Sequence, residues 1–284
     1  MPQKMNTAAT IETPSGKGAG DENFPVGSWL LPRDLRPDVA VYYAFARAID
    51  DIADNPDLPA DDKIARLEGF AAAVNGGNAD PAYIKGQAAG AMFARKGIPK
   101  RHGLDLISAF IQDATKSRYA NWAELIGYCE RSASPVGRFL LDLHGEDPAL
   151  HPLSDALCNA LQVINHLQDC GKDYAALDRV YLPADWMAAE GTGVTDLALP
   201  EMTAGLRRVV DRAIAGTEDL LAEARKLPKV LKHRRLAAET AIIVSVADKL
   251  TRRLARRDPL AERVVLGPLG FTGAALSGLL RLWF

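Results

Sequence analysis

The sequence predicts an all-α protein, and three observations carry that prediction. Apolar residues recur at helical spacing along most of the 284-residue chain. No run of alternating apolar and polar residues is long enough to make a strand. Breakers bearing Gly and Pro cut the chain into helix-length segments with mostly short connections, which favours antiparallel neighbours in a bundle. No stretch reads as an interdomain linker, so residues 23–257 make one domain in this reading. Residues 1–22, rich in Gly, Thr, Ser and Lys, read as a disordered segment, and residues 258–284 as an apolar C-terminal tail.

The clearest helix runs from Arg36 to Asp54. Tyr42, Phe45, Ile49 and Ile52 form an apolar stripe along it. Tyr43, Arg47, Asp50 and Asp54 form a second, polar stripe roughly a hundred degrees round the helix. Asn55-Pro56 ends it. Further helices are expected at 60–75, 81–96, 103–117, 122–144, 154–175, 202–227 and 234–257. Gly76-Gly77, Ile98-Pro99, Gly145 to Pro148, Gly191 to Gly193 and Leu227-Pro228 separate them. From Val264 to Leu280 no residue is charged, and Arg252, Arg253, Arg256, Arg257 and Arg263 lie just before. That stretch is near the length of a membrane span, but Pro268 and four glycines weaken a continuous helix. A tail that lies on or docks to a membrane surface is the favoured reading, and a final helix packed on the body is the alternative.

Composition removes several function classes. A net charge of -2 gives no support for nucleic-acid binding. Cys129, Cys158 and Cys170 show no CxxC spacing, which argues against a disulfide framework or structural zinc and fits a reducing, cytoplasmic setting. The five histidines form no HExxH or ExxH pair, and neither a GxGxxG turn nor a P-loop is present.

Two ladders of oxygen ligands remain. Asp50 and Asp54 stand one helical turn apart, and Asn165, Asp169 and Asp173 repeat at every fourth residue. Carboxylates stacked this way repel one another unless cations sit among them. Hard oxygen donors at two places suit Mg2+, which takes a few carboxylates and completes its shell with substrate phosphate oxygens. Arg47 and Tyr43 extend the first stripe, Gln162 precedes the second, and Arg179 and Tyr181 follow it, which suits a diphosphate. Asp51 lies on a different face and is a weaker candidate; His166 and Cys170 read as helix packing beside the second ladder.

These residues, with Asp178-Arg179-Val180-Tyr181-Leu182-Pro183, Tyr42 to Arg47 and Gly127-Tyr128-Cys129, resemble the signatures of the squalene/phytoene synthase family over roughly residues 22–257. The resemblance implies a single isoprenoid-synthase-type helical bundle around a central apolar cavity, whose aspartate motifs hold several magnesium ions and a diphosphate. Glu22 to Val26, Arg131 to Gly137 and Asn165 to Cys170 are similar to the hopanoid-pathway branch. That likeness implies ionisation of presqualene diphosphate, a C30 isoprenoid diphosphate, with water capture to give hydroxysqualene and diphosphate. No NAD(P)H is expected. Peripheral contact with the inner face of the cell membrane and hand-over to neighbouring hopanoid-pathway enzymes would follow.

Head-to-head condensing members usually carry Arg where this chain has Gln168 and Tyr where it has Glu130, and the usual basic residues before Phe24 are missing. On the resemblance, Asp50, Asp54, Asn165, Asp169 and Asp173 are the metal ligands, and Tyr43, Arg47, Gln162, Arg179 and Tyr181 bind substrate. Gln168 and Glu130, with Tyr128, are expected to orient the attacking water. A condensing enzyme that makes presqualene diphosphate, squalene or phytoene stays open as an alternative. So does a non-catalytic scaffold relative, although that would be expected to lose the aspartates.

Overall fold

The computed structural model describes residues 11–12 and 31–282, and their regular elements are all helical. The segment 13–30, with the Glu22 to Val26 motif, lies outside the described residues, as does nearly all of 1–22. The exceptions are Ile11 and Glu12: Arg66 donates to the Ile11 carbonyl at 2.7 Å, and Lys85 pairs with Glu12 at 2.5 Å. The chain groups into two compact units, one built on residues 33–115 and one on residues 116–282.

The first unit contains α1 (Arg36–Ala53), α2 (Ala60–Asn75), α3 (Ile84–Lys96) and α4 (Arg101–Asp113). Pro37 in the first turn of α1 supplies a fixed φ where no intrahelical N–H bond is needed. Asp38 complements the positive helix end there and is itself held by Arg95 and Lys96 from the end of α3. Gly76 and Gly97 close α2 and α3 in the left-handed conformation. The apolar stripe of α1 is buried as expected, with Tyr42, Phe45, Phe70 and Phe93 as an aromatic core. Each such ring contributes about 1.5–3 kcal/mol on burial. Gly90 lets α3 lie against α2, because a Cβ there would clash with the Val74 carbonyl oxygen.

The second unit contains α5 (Trp122–Ser132), α6 (Ser134–Leu143), α7 (His151–Gln168), α8 (Cys170–Leu177), α9 (Ala184–Ala189), α10 (Ala204–Ala224), α11 (Leu227–Val230), α12 (Arg234–Leu254) and α13 (Pro268–Leu280). Its centre is α7, packed on α5, α6, α10 and α12 through Ala160, Val163, Ile164 and Leu167. Two expected helices are each broken in two. The 122–144 segment divides at Ala133, because Pro135 cannot donate to the carbonyl one turn earlier. The 154–175 segment divides at Asp169, whose φ of -106° and ψ of 10° join α7 to α8. The final apolar stretch is a helix after all. Pro268 sits in its first turn, where it does no harm, and Gly278 lies directly on α12, 2.5 Å from the Ala241 carbonyl oxygen for a built Cβ. No helix among the described residues is long and apolar enough to cross a membrane.

Candidate functional site

On α1 the polar stripe is half-buried while the stripe beside it is fully packed, so Tyr43, Arg47, Asp50 and Asp54 share a face that is neither core nor open surface. Arg47 is fixed on that face by its own helix. Its Nε and Nη2 donate to Oδ1 of Asp51 at 3.0 and 2.7 Å, and Nη2 also lies 3.0 Å from Oδ2 of Asp50. The Asp51 side chain is only 5% exposed. A buried carboxylate beside a guanidinium is stable only as a hydrogen-bonded pair, so Asp51 sets the rotamer of Arg47.

The second ladder survives the helix break. The Asp169 N–H donates to the Asn165 carbonyl at 3.0 Å and the Asp173 N–H to the Asp169 carbonyl at 2.8 Å. The four-residue register therefore runs through the junction, and Gln162, Asn165, Asp169 and Asp173 are all half-buried. Just past the junction Gly171 allows close packing: a Cβ there would meet Leu260 at 2.7 Å and the Leu197 carbonyl at 3.2 Å.

After α8 the chain reverses at Asp178, a non-glycine residue with φ of 50°. Three bonds hold this uncommon conformation. Arg118 Nη2 donates to Asp178 Oδ1 at 2.5 Å, with a second bond to the Asp178 carbonyl, and the Val180 N–H donates to the Ser117 carbonyl at 2.9 Å. Arg179 and Tyr181 are thereby turned into the unit and buried. Tyr181 stacks on His166 with centroids 3.5 Å apart, and Tyr119 and Tyr128 complete an aromatic tray behind the ladder. Burial, aided by the charge of Arg179, pushes the His166 imidazole down to about 3, so it stays neutral. Burial also pushes the Cys170 thiol up to about 12, which leaves it a packing group and not a nucleophile.

Of the three residues expected to orient water, Tyr128 is buried in this tray and Glu130, two residues on along α5, is exposed. Gln168 Nε2 donates to the carbonyl of buried Val264 at 2.5 Å, while its Oε1 is buried without a hydrogen-bond partner among the described residues. Sequence reasoning set Asp51 aside as a weaker candidate, quoted Asp178 only within a motif, and did not single out Tyr119 or Arg118 as residues that shape the site. The Arg47–Asp51 spacing of four was a readable signal for the first. Nothing local marks Arg118, which lies 60 residues from its partner.

The donors suit a hard divalent ion that shares its shell with a ligand. Among the described residues no three His, Cys, Asp or Glu side chains converge to cage a metal unaided. Two carboxylates in the first ladder, and two with an amide oxygen in the second, leave coordination positions for phosphate oxygens and water, the habit of magnesium.

The squalene/phytoene synthase family model matches residues 18–269. A hydroxysqualene synthase from Rhodopseudomonas palustris is 44% identical over 97% of this chain and 93% of its own length. One from Zymomonas mobilis is 43% identical over 92% of this chain and 87% of its own. The fold is similar to the crystal structure of a squalene synthase from Alicyclobacillus acidocaldarius, with TM-score 0.71, 32% identity, and 81% of this chain and 87% of that one covered. A dehydrosqualene synthase structure shares the fold at TM-score 0.71 and 21% identity, covering 89% of each chain. Helices, ladders and likeness agree: the chain belongs to the squalene/phytoene synthase family, and it is an enzyme of that kind.

Proposed function

We propose that the chain converts presqualene diphosphate to hydroxysqualene and diphosphate. The observation that carries this reading is the 44% identity, over nearly the whole chain, to a protein named hydroxysqualene synthase. Both ladders take part in holding the diphosphate. Asp50, Asp54, Asn165, Asp169 and Asp173 would hold Mg2+, which supplies Lewis-acid neutralisation of the charge that develops on the departing diphosphate.

Arg47, oriented by Asp51, and Arg179, oriented by the turn at Asp178, bind diphosphate oxygens by charge-assisted hydrogen bonds. Tyr43, Gln162 and Tyr181 add neutral donors. The carbon–oxygen bond to diphosphate breaks with its electron pair leaving on oxygen, and the carbocation rearranges away from bulk water. Water then forms the new carbon–oxygen bond and gives up a proton, so no reductant enters. Gln168 Oε1, a buried acceptor, fits the role of orienting that water with Tyr128 and Glu130. A C30 product partitions into lipid, so peripheral contact with the cell membrane and hand-over to neighbouring hopanoid-pathway enzymes belong to the same proposal.

The test is chromatography of products from purified chain with Mg2+. Presqualene diphosphate should yield hydroxysqualene; squalene, or no turnover, would overturn the reading. Turnover of farnesyl diphosphate alone would instead support a condensing enzyme, the activity in the name of the Alicyclobacillus structure.

A further inference from the structure

Helix α13 is built the wrong way round for a protein surface. At about 100° per residue, Leu269, Leu276 and Leu280 fall within about 40° of one another on a single stripe. They are 91%, 62% and 50% exposed. The opposite side of the helix carries the small residues Ala274 and Gly278, both buried. An ordinary surface helix turns its leucines inward and its small or polar residues outward.

This orientation is held, not loose. Gly278 brings α13 into backbone contact with α12 at Ala241, where any side chain would clash. Arg281 Nη1 donates to Asp248 Oδ2 at 2.7 Å, and Asp248 is 2% exposed. Lys249 reaches the Gly270 carbonyl at 3.3 Å from the same face of α12. The leucines cannot turn inward without breaking these three ties.

Beside the stripe lies a groove of about 850 Å³ lined by Leu276, Leu280, Lys229, Arg252 and Arg281. Among the described residues its one lining carboxylate, Asp248, is already shared between Arg225 and Arg281. Lys229 and Arg252 are exposed and pair with no carboxylate among the described residues, and exposed Arg256 and Arg263 follow in sequence. Apolar side chains and unneutralised cations on one face are complementary to a surface with an oily interior and an anionic skin. At 13 residues α13 spans about 20 Å, too short to cross a bilayer but sufficient to lie in its interface.

We infer that α13 is an in-plane docking helix for an anionic lipid bilayer, with Leu269, Leu276 and Leu280 entering the acyl boundary and Lys229 and Arg252 meeting lipid phosphates. This names the surface that makes the peripheral contact proposed above; it rests on that reading only for its purpose, and on the geometry of α13 for its substance.

The test is flotation of the full chain with vesicles of phosphatidylcholine alone or with added phosphatidylglycerol. The chain should float with the anionic vesicles and bind the neutral ones at least tenfold more weakly, with the difference falling as salt rises. Leu269→Glu/Leu276→Glu should lower anionic binding at least tenfold. Lys229→Ala/Arg252→Ala should remove most of the anionic preference and leave the weak neutral binding. All variants should melt within a few degrees of the parent and turn over detergent-dispersed substrate as before. Absent flotation, or flotation indifferent to the leucines, would overturn the inference. So would a parent dimer that the leucine changes split, since the stripe would then belong to a second copy. Failure of turnover with flotation intact would strike the proposed reaction and leave this inference standing.

Discussion

The two ladders look equivalent as strings of oxygen donors, yet they are held by different means. In the first, Arg47 is gripped by Asp51 and lies against Asp50, all on α1. In the second, the donors span a helix junction, and the turn that aims Arg179 and Tyr181 is tied to Ser117 and Arg118 across 60 residues. The first half is therefore the more local of the two, its Arg47–Asp51 pair lying within one helix. The second exists only when its unit has folded around it. The comparison predicts that mutations around the first should act on chemistry alone, whereas mutations around the second should mix chemistry with stability.

The largest expected effect breaks both halves alike. Asp50→Ala and Asp169→Ala should each lower kcat/KM by about a thousandfold, as loss of preorganised electrostatic groups does. Circular dichroism should show both variants folded. A clear difference between them would show that one ladder carries the charge stabilisation alone.

Next comes Tyr119→Ala, aimed at the tray that only the second half possesses. Tyr119 is fully buried and stacked on Tyr181 at 5.6 Å, so its truncation should cost about 3–5 kcal/mol in urea unfolding and lower activity as well. No single substitution on the polar stripe of α1 should cost as much. Arg118→Ala and Asp51→Asn sharpen the contrast at the level of positioning. Each should lower kcat/KM about tenfold, a transition-state loss of about 1.4 kcal/mol. Arg118 is a partly exposed pair, so its loss should move stability by less than about 1 kcal/mol.

The smallest effect is a pH dependence confined to the second half. His166 titrates at about 3 in the folded chain against 6.5 ordinarily. Below about pH 6.5 the unfolded chain takes up a proton that the folded chain refuses, so stability falls as pH drops toward 3. The cost reaches about 2 kcal/mol at pH 5. His166→Phe should flatten that slope in parallel urea titrations at pH 7 and pH 5; an unchanged slope would show that the imidazole is not held neutral.

The same division explains what could be read without coordinates. The helices, the buried stripe of Tyr42, Phe45, Ile49 and Ile52, and both ladders were legible because helical periodicity places them. Breaks at Ala133 and Asp169 were not anticipated, although Pro135 was a visible cause of the first. The reversal at Asp178 was invisible, because a left-handed non-glycine residue depends on a distant guanidinium. Helix α13 was weighed down by its proline and glycines as a sequence. Pro268 turns out to sit in the first turn and Gly278 on the packed face, where they permit the helix.

The central proposal is that each row of oxygen donors is needed to retain a metal-bound diphosphate. Calorimetric titration of inorganic pyrophosphate into the protein, with and without Mg2+, tests it directly. Binding should appear only with magnesium, and Asp50→Asn/Asp54→Asn and Asp169→Asn/Asp173→Asn should each abolish it. Undiminished binding in either double variant, or tight binding without the metal, would contradict the account.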